Sequence, residues 1–379
     1  MADKKPSAAQ REDESAVKPF VFSASSNYGS WSADKEKNDG DQLVTFLQMG
    51  YDAKTWGLAV TGRAAQSSYQ TNSSEERFDV STLTDTELSD FVAYTTGSWM
   101  LRTGVDVTLP TGKHGYANNE LLAIMSDTLS SDLMAITSYG QGLNFSPHLV
   151  LANKVSPSMT VGLGLKYSFT GEYDATTEIE DDSINPGDRL TALVNTALML
   201  SATDYVMATG AYSTAGRDTR QGVDIFRQGD ILSLDLKYIH KWFDGLTSVF
   251  NVSYMTQQKN DLINESLVIQ NETQNSNNNS VQVAINSAWT LSKGLALTGM
   301  VGYKQVDANG YPEDNPLYDG GRWKAFLEPG VIAYFSDSFY ATLKGRYTTL
   351  YNKKDALASE DIRYDVYNLD LAVVYNFGL

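Results

Sequence analysis

Fourteen charged side chains occur in strand-like segments, at positions that alternation assigns to the face opposite the apolar residues. Ten are basic and four are acidic. A wall of this composition concentrates anions beside it and lowers the barrier to their passage relative to cations. The residues predicted on this face are Arg63, Arg102, Asp106, His148, Lys166, Asp235, Lys237, Lys304, Arg322, Lys324, Glu328, Lys344, Arg346 and Asp370.

Local ion pairs are the alternative interpretation of this charged face, and they would cancel part of its effect. Lys344 and Arg346 have no acidic residue at suitable spacing, so they are predicted to stay uncompensated. Three other basic residues do have an acidic residue two or four positions away on the same face: Arg102 with Asp106, Lys237 with Asp235 and Lys324 with Glu328.

The chain offers few residues for catalysis or metal binding. It contains no cysteine and three histidines, His114, His148 and His240, which lack the spacing of a metal site. Ser146 lies two residues from His148, but alternation turns both away from the apolar face, where an enzyme acting on lipid would need its nucleophile. No Gly-x-Ser-x-Gly, Walker or dinucleotide fingerprint stands out. We therefore expect no enzyme, no metal and no cofactor.

The elements that carry the charged face are strands with one apolar side. Between Met159 and Phe169, apolar residues alternate with Thr, Gly, Lys and Ser, and the same period closes the chain between Tyr367 and Phe377. Strands with lipid outside and water inside have this pattern. The last strand resembles that of Gram-negative outer-membrane barrels, which ends in an aromatic residue read by the barrel-assembly machinery.

The connections between these segments alternate between short and long. Turn-like connections fall near residues 52–54, 96–98, 156–158, 202–204, 243–245, 291–294 and 336–338. Longer polar stretches fall at about 33–40, 70–81, 111–140, 174–187, 217–222, 259–276, 308–320 and 352–362. Short periplasmic turns and long extracellular loops show this asymmetry. We predict an all-β, antiparallel transmembrane barrel of about 16 strands, or of 14 or 18 if one pair is miscounted.

Composition is compatible with a barrel placed in the outer membrane. The chain has 379 residues and a formal charge of −17, with no run near the roughly 20 apolar residues that a spanning helix needs. Residues 1–17 lack periodicity and are predicted to form a disordered periplasmic tail before a barrel at 18–379. Because no signal peptide is present, we interpret the sequence as the mature form of an exported protein.

The longest connection, residues 111–140, is the only one with helical periodicity. Apolar residues recur there at helix-like spacing after Asn118 and Asn119, with Glu120 in the first turn. The segment resembles the inward-folded third loop of general porins; the alternative is a loop packed outside the membrane. Candidate residues of a constriction, with acidic ones facing the basic wall, are Glu120, Leu121, Leu122, Met125, Asp127, Asp132 and Met134.

Residues 98–174 carry a more specific resemblance. A strand from Gly104 ends in Leu109-Pro110-Thr111-Gly112-Lys113, and Tyr139-Gly140-Gln141-Gly142-Leu143-Asn144 leads into a hairpin that finishes at Gly171-Glu172-Tyr173-Asp174. These motifs resemble the outer-membrane family labelled meta-pathway phenol-degradation or "transporter" proteins. The resemblance implies passage of small, often aromatic, solutes.

Three functions follow from these observations. The main prediction is a porin-like channel for passive diffusion of small hydrophilic or amphipathic, anionic solutes. A narrow uptake channel for aromatic or hydrophobic compounds is the second, and a barrel that serves as scaffold or sheath for a periplasmic or surface partner protein is the third. Expected partners are outer-membrane lipid, lipopolysaccharide and the assembly machinery. Nucleic acid is not expected, because acidic loops repel phosphate.

Overall fold

The computed structural model describes residues 19–35, 38–70, 77–124, 130–179, 182–264, 268–355, 358 and 360–377. Its main body is a closed antiparallel barrel of sixteen strands, which confirms the predicted fold and count. The predicted N-terminal tail lies outside the described residues. Among those residues, no helix is both long and apolar enough to span a membrane.

Strands and two short helices make up the described elements. The first part of the chain contains β1 (Phe20–Ala33), β2 (Asp39–Asp52), β3 (Trp56–Gln70), β4 (Arg77–Leu83), β5 (Thr86–Thr96), β6 (Trp99–Leu109), α1 (Asn118–Ile124), α2 (Ser130–Leu133), β7 (Asn144–Ser156), β8 (Met159–Ser168), β9 (Tyr173–Asp174) and β10 (Ser183–Asn185). The second part contains β11 (Arg189–Met199), β12 (Asp204–Ala215), β13 (Arg217–Arg220), β14 (Val223–Arg227), β15 (Ile231–Phe243), β16 (Leu246–Gln257), β17 (Asp261–Ile263), β18 (Ile269–Asn271), β19 (Ser280–Ser292), β20 (Leu295–Val306), β21 (Arg322–Tyr334), β22 (Phe339–Asn352) and β23 (Ile362–Phe377).

Successive wall strands pair in order, and β1 closes the barrel against β23 with Phe20 opposite Phe377. All seven predicted short turns lie at one end, the end that also holds Phe20 and Phe377. The long connections lie at the other end. Short turns and chain ends belong to the periplasmic side of such barrels.

The outer face is a belt of exposed apolar side chains. Leu163 and Leu165 are 54% and 53% exposed, and Leu369 and Leu371 are 53% and 52% exposed. Exposure of such a belt to water is unfavourable in free energy, whereas contact with the hydrocarbon core of a membrane is favourable. A closed barrel with a lipid-facing belt belongs in a bacterial outer membrane.

One wall strand is interrupted, a feature that the sequence did not reveal. β4 and β5 occupy the same place beside β3, but Ala64 pairs with Leu83 above the break and Thr61 with Glu87 below it. The shift corresponds to one extra residue, as in a β-bulge. The bulge lies at Thr84–Asp85 and creates an attachment point for the loop after β6.

Six of the short strands form a second sheet above the barrel. Its order is β18-β17-β14-β13-β10-β9, and its strands lie in the long connections between wall strands. Residues 217–222, predicted as a loop, belong to the β13–β14 hairpin. Its turn residues Gln221 and Gly222 have φ of 51° and 76°, which suits a two-residue turn that follows the twist of the strands.

Candidate functional site

The loop between β6 and β7 lies inside the barrel, against lumen-facing residues of the wall. Tyr116, Ala123, Ile124 and Tyr139 of the loop are buried with three wall residues, Val44 of β2, Ala65 of β3 and Val80 of β4. Their neighbours in sequence, such as Leu43, are exposed on the lipid face, so alternation places these three residues on the lumen face. The apolar residues that gave the loop its helical periodicity therefore pack against the inside of the wall.

A second apolar cluster holds the part of the loop that follows α2. Leu133 and Met134 are 4% and 5% exposed and pack with Trp31 of β1, Leu350 of β22 and Tyr364 of β23. Together the loop's contacts reach from β20 and β21, through β22 and β23, to β1–β4. The loop thus follows about half of the inner circumference near the extracellular end and narrows the lumen there.

Buried hydrogen bonds fasten the same segment. The Gln42 side chain accepts a bond from Ile136 N at 2.8 Å and donates to Ile136 O at 2.7 Å. It also donates to Ser67 Oγ at 2.7 Å, and Ser67 Oγ lies 2.5 Å from the Tyr139 hydroxyl. Burial raises the pKa of Tyr139, so this hydroxyl stays protonated.

The bulge in the wall provides a further attachment. Asp85 accepts bonds from Gly112 N at 2.9 Å and from Gln141 N at 2.8 Å, and Asp85 N donates to Tyr139 O at 2.8 Å. Both ends of the loop are therefore tied to one carboxylate. Paired backbone donors stabilise a buried charge of this kind.

Asp132 of α2 reaches a cationic cluster on the opposite side of the loop. Its carboxylate lies 2.9 Å from Lys304 Nζ, 2.8 Å from Arg322 Nε and 2.7 Å from Lys324 Nζ, and its side chain is 2% exposed. Burial alone would raise the pKa of Asp132, but the charges of Lys324 and Lys304 outweigh burial and lower it. The loop carboxylate is thus held ionised against the wall.

The other predicted constriction residues have different positions. Glu120 does not face the basic wall: it accepts from Ala117 N at 2.9 Å and pairs with Lys113 at 2.5 Å, as in an N-terminal helix cap. Leu121 packs beside the first apolar cluster, whereas Leu122 is 49% exposed. Met125 and Asp127 lie outside the described residues.

Three lumen-facing phenylalanines are covered by arginine side chains. The guanidinium carbon of Arg102 lies 3.7 Å from the Phe91 ring centre, that of Arg346 lies 5.1 Å from Phe326, and that of Arg63 lies 5.3 Å from Phe46. These distances permit cation–π attraction. Sequence reasoning identified the arginines and missed the rings, although all three phenylalanines alternate onto the same face.

Two of these stacks have a glycine beneath the ring. A Cβ at Gly57 would lie 2.2 Å from the Phe91 ring, and a Cβ at Gly302 would lie 2.3 Å from the Phe326 ring. The rings therefore pack directly against the neighbouring strand at these glycines. A cavity of about 410 Å³ adjoins the Phe91–Arg102 stack and is lined also by Gln48, Asp106 and His148.

Glu328 corrects the prediction that Lys344 and Arg346 are uncompensated. Its carboxylate lies 3.3 Å from Lys344 Nζ and 2.5 Å from Arg346. The expected partner of Glu328, Lys324, instead pairs with Asp132. A cavity of about 680 Å³ beside this group is lined by Glu328, Lys344, Arg346 and Asp370.

Most of the remaining lumen cations are also paired. Asp106 lies 2.7 Å from Lys166 and 3.7 Å from His148 rather than pairing with Arg102. The other contacts of predicted residues are Asp235 with Lys237 at 3.6 Å, Arg63 with Glu87 at 3.0 Å and Asp370 with Asn27 at 2.6 Å. The wall is therefore lined by alternating charges and is less basic than predicted.

Neither a catalytic nor a metal arrangement appears in the part of the chain that the structure describes. Ser146 donates to Ser168 Oγ at 2.9 Å, and His148 faces Asp106. Among the described residues, no group of three His, Asp or Glu side chains could hold a metal ion.

Comparisons with known proteins add little beyond architecture. No family model and no curated protein match the chain. Similar solved structures include the CymD monoaromatic hydrocarbon channel, with a TM-score of 0.47, 10% identity and coverage of 96% of this chain and 90% of that chain. A FadL homologue of Pseudomonas aeruginosa has a TM-score of 0.46, 8% identity and coverage of 95% and 90%. The toluene transporter TodX of P. putida has a TM-score of 0.44, 11% identity and coverage of 96% and 92%.

Proposed function

We propose that the protein is a loop-gated channel of the outer membrane that admits small aromatic solutes. The observation that carries this proposal is the set of three arginine–phenylalanine stacks on the lumen face. Aromatic rings attract other aromatic rings in offset-stacked or edge-to-face arrangements, and guanidinium groups attract ring faces, so a wall that carries both favours aromatic solutes.

The guanidinium group of each stack can bind an aromatic solute weakly, so the solute is attracted to the wall and can still dissociate from it. One of its planar faces covers a phenylalanine, and the other can receive an aromatic ring. Arg102 is exposed and borders the cavity of about 410 Å³, so its free face is accessible from the lumen. Weak, repeated stacking along a wall suits conduction, which requires that a solute also leave each site.

The inward-folded loop supports a gated channel over an open porin. Two buried apolar clusters and the carboxylates of Asp85 and Asp132 hold it inside the barrel, so a solute has to pass it. The hydrophilic porin predicted from the sequence is the broader alternative.

Uptake into proteoliposomes tests the proposal. Benzoate and cyclohexanecarboxylate have the same charge and nearly the same size, and only benzoate has an aromatic ring. Because the neutral acids cross lipid unaided, uptake is measured at alkaline pH and the uptake by protein-free liposomes is subtracted. We expect severalfold faster uptake of benzoate. Arg102→Lys keeps the charge and removes the planar face, so it should reduce the preference, whereas Lys237→Arg, at a lumen site away from the three rings, should not.

Equal uptake of the two acids would overturn the aromatic part of the proposal. Absence of uptake and of conductance, with the barrel folded, would favour the scaffold or sheath function instead.

A further inference from the structure

The wall itself builds a cationic group at the extracellular end of the lumen. Lys304 of β20 and Lys324 of β21 are directly opposite each other, and Arg322 is the next residue of β21 on the same face. Like charges in such cross-strand positions repel each other. The arrangement is therefore unfavourable unless an anion lies between them.

Asp132 is the anion that occupies this position. It contacts all three cations, and Arg322 additionally reaches Asp319 at 3.7 Å. Asp132 comes from the loop and not from the wall, so the anion can leave while the cations stay. The three cations are fixed on the sheet, and the carboxylate between them belongs to a loop that can move. They therefore resemble a binding site whose ligand is tethered to the protein.

A buried phenylalanine ring and the guanidinium that covers it lie beside the cations. Phe326 is the next lumen-facing residue of β21 after Lys324, about 7 Å along the strand. Its ring packs against Gly302 and lies under the Arg346 guanidinium. The side of that guanidinium that does not cover Phe326 can receive an aromatic ring, so groups that bind a carboxylate and a group that binds a ring are neighbours on this face, as binding of an aromatic acid requires.

We propose that Lys304, Arg322 and Lys324 form a binding site for the carboxylate of an aromatic acid, which replaces Asp132 and thereby frees α2 from the wall. This inference rests on the proposed function and names the solute class: aromatic carboxylates. Loss of the Asp132 contacts frees the adjoining Leu133 and Met134, which occupy the second apolar cluster.

Release is confined to one part of the loop. The first apolar cluster, with Ile124 and Tyr139, makes no contact with the three cations, and Asp85 holds Gly112 and Gln141 independently. The loop therefore swings about fixed ends, and the barrel wall is unchanged.

Cysteine accessibility distinguishes the two parts. The chain contains no cysteine, so a single Met134→Cys or Ile124→Cys substitution can be labelled selectively with an impermeant maleimide. Both positions are about equally buried, at 5% exposure. Benzoate should raise the labelling rate at position 134 severalfold and leave position 124 unchanged.

Variants of the three cations and of Asp132, together with partial ligands, complete the labelling experiment. Asp132→Asn keeps the shape and removes the charge, so position 134 should be labelled rapidly without benzoate. Lys324→Gln should weaken the benzoate response. Acetate has the carboxylate without the ring, and benzyl alcohol has the ring without the carboxylate, so each should raise the labelling rate at position 134 only at higher concentrations than benzoate. Heat-modified migration in gels shows whether each variant is folded.

The outcomes separate this inference from the proposed function. If benzoate does not change the labelling rate of Met134→Cys while Asp132 is present, and Asp132→Asn still takes up benzoate selectively, the displacement of Asp132 is overturned and the aromatic channel stands. Equal action of acetate and benzoate would overturn the assignment to aromatic acids. No preference for benzoate over cyclohexanecarboxylate in Asp132→Asn would overturn the proposed function and this inference together.

Discussion

The side-chain amide of Gln42 makes the two hydrogen bonds to Ile136 that a neighbouring strand would make, one to its N–H at 2.8 Å and one to its carbonyl at 2.7 Å. Gln42 is 3% exposed, so these bonds are formed without competition from water. One wall side chain thereby holds the backbone of the loop inside the lumen.

Replacement of Gln42 by Ala should loosen the loop. The substitution leaves the N–H and carbonyl of Ile136 without these partners in a partly buried site, at a cost of at most about 1–3 kcal/mol per group. We expect a larger and noisier single-channel conductance with unchanged heat stability of the barrel. Gln48→Ala, on the same strand and lumen face, is the control, and an effect of equal size there would contradict the role of Gln42.

Replacement of Gly302 by Ala should displace the Phe326 ring. A Cβ at Gly302 would lie 2.3 Å from that ring, while a Cβ at Gly299 of the same strand would meet nothing within 4 Å. Overpacking of this kind costs about 1–3 kcal/mol. Thermal unfolding followed by gel migration should show a lower midpoint for Gly302→Ala only; equal midpoints would mean that the ring moves freely.

Replacement of Glu328 by Gln should increase anion preference. The substitution removes the negative charge that lies 3.3 Å from Lys344 and 2.5 Å from Arg346, so both cations remain uncompensated. The reversal potential in a salt gradient should shift towards that of the anion. Glu360→Gln, at an exposed loop pair with Lys35, should leave it unchanged. A shift towards cations would refute the assignment of this group to the lumen.

The Asp132 contact should survive mild acid. Its pKa is lowered in the folded protein, so its contribution to loop attachment is complete above the ordinary aspartate pKa and is lost only as the pH falls through the lowered value. The labelling rate of Met134→Cys, divided at each pH by that of the exposed Asp244→Cys to remove the titration of the thiol itself, should therefore not rise between neutral pH and about pH 4. Asp132→Asn controls for other titrating groups, and a rise absent from that variant would disprove the stabilising pairing.

Cysteine labelling of intact cells should report the orientation. Asp244 lies in a short turn at the periplasmic end, and Asn277 lies in a long connection at the opposite end. An impermeant reagent should therefore mark Asn277→Cys and spare Asp244→Cys. The reverse result would invert the barrel. Glu180, in another long connection, lies outside the described residues.

Local patterns were sufficient to predict the barrel. Period-two alternation reports which face of a strand is apolar, and turn residues report where strands end, so sixteen strands and all seven short turns could be predicted without knowledge of pairing. The helical periodicity of the loop likewise predicted an apolar surface that needed covering.

Contacts between distant residues could not be read in the same way. Glu328 meets Arg346, and Asp132 meets Lys304, because register and loop path bring them together across 18 and 172 positions. The bulge at Asp85 was equally hidden, since one extra residue in a strand leaves no compositional signal.

The amino-acid sequence alone thus determined the strand count and the apolar face of each wall strand, because side-chain direction along a strand is a local property. Only the tertiary structure decided which charges neutralise each other and which phenylalanines lie beneath arginines. Those relationships depend on the register between strands and on the path of the loop, both of which are set by packing of the whole barrel.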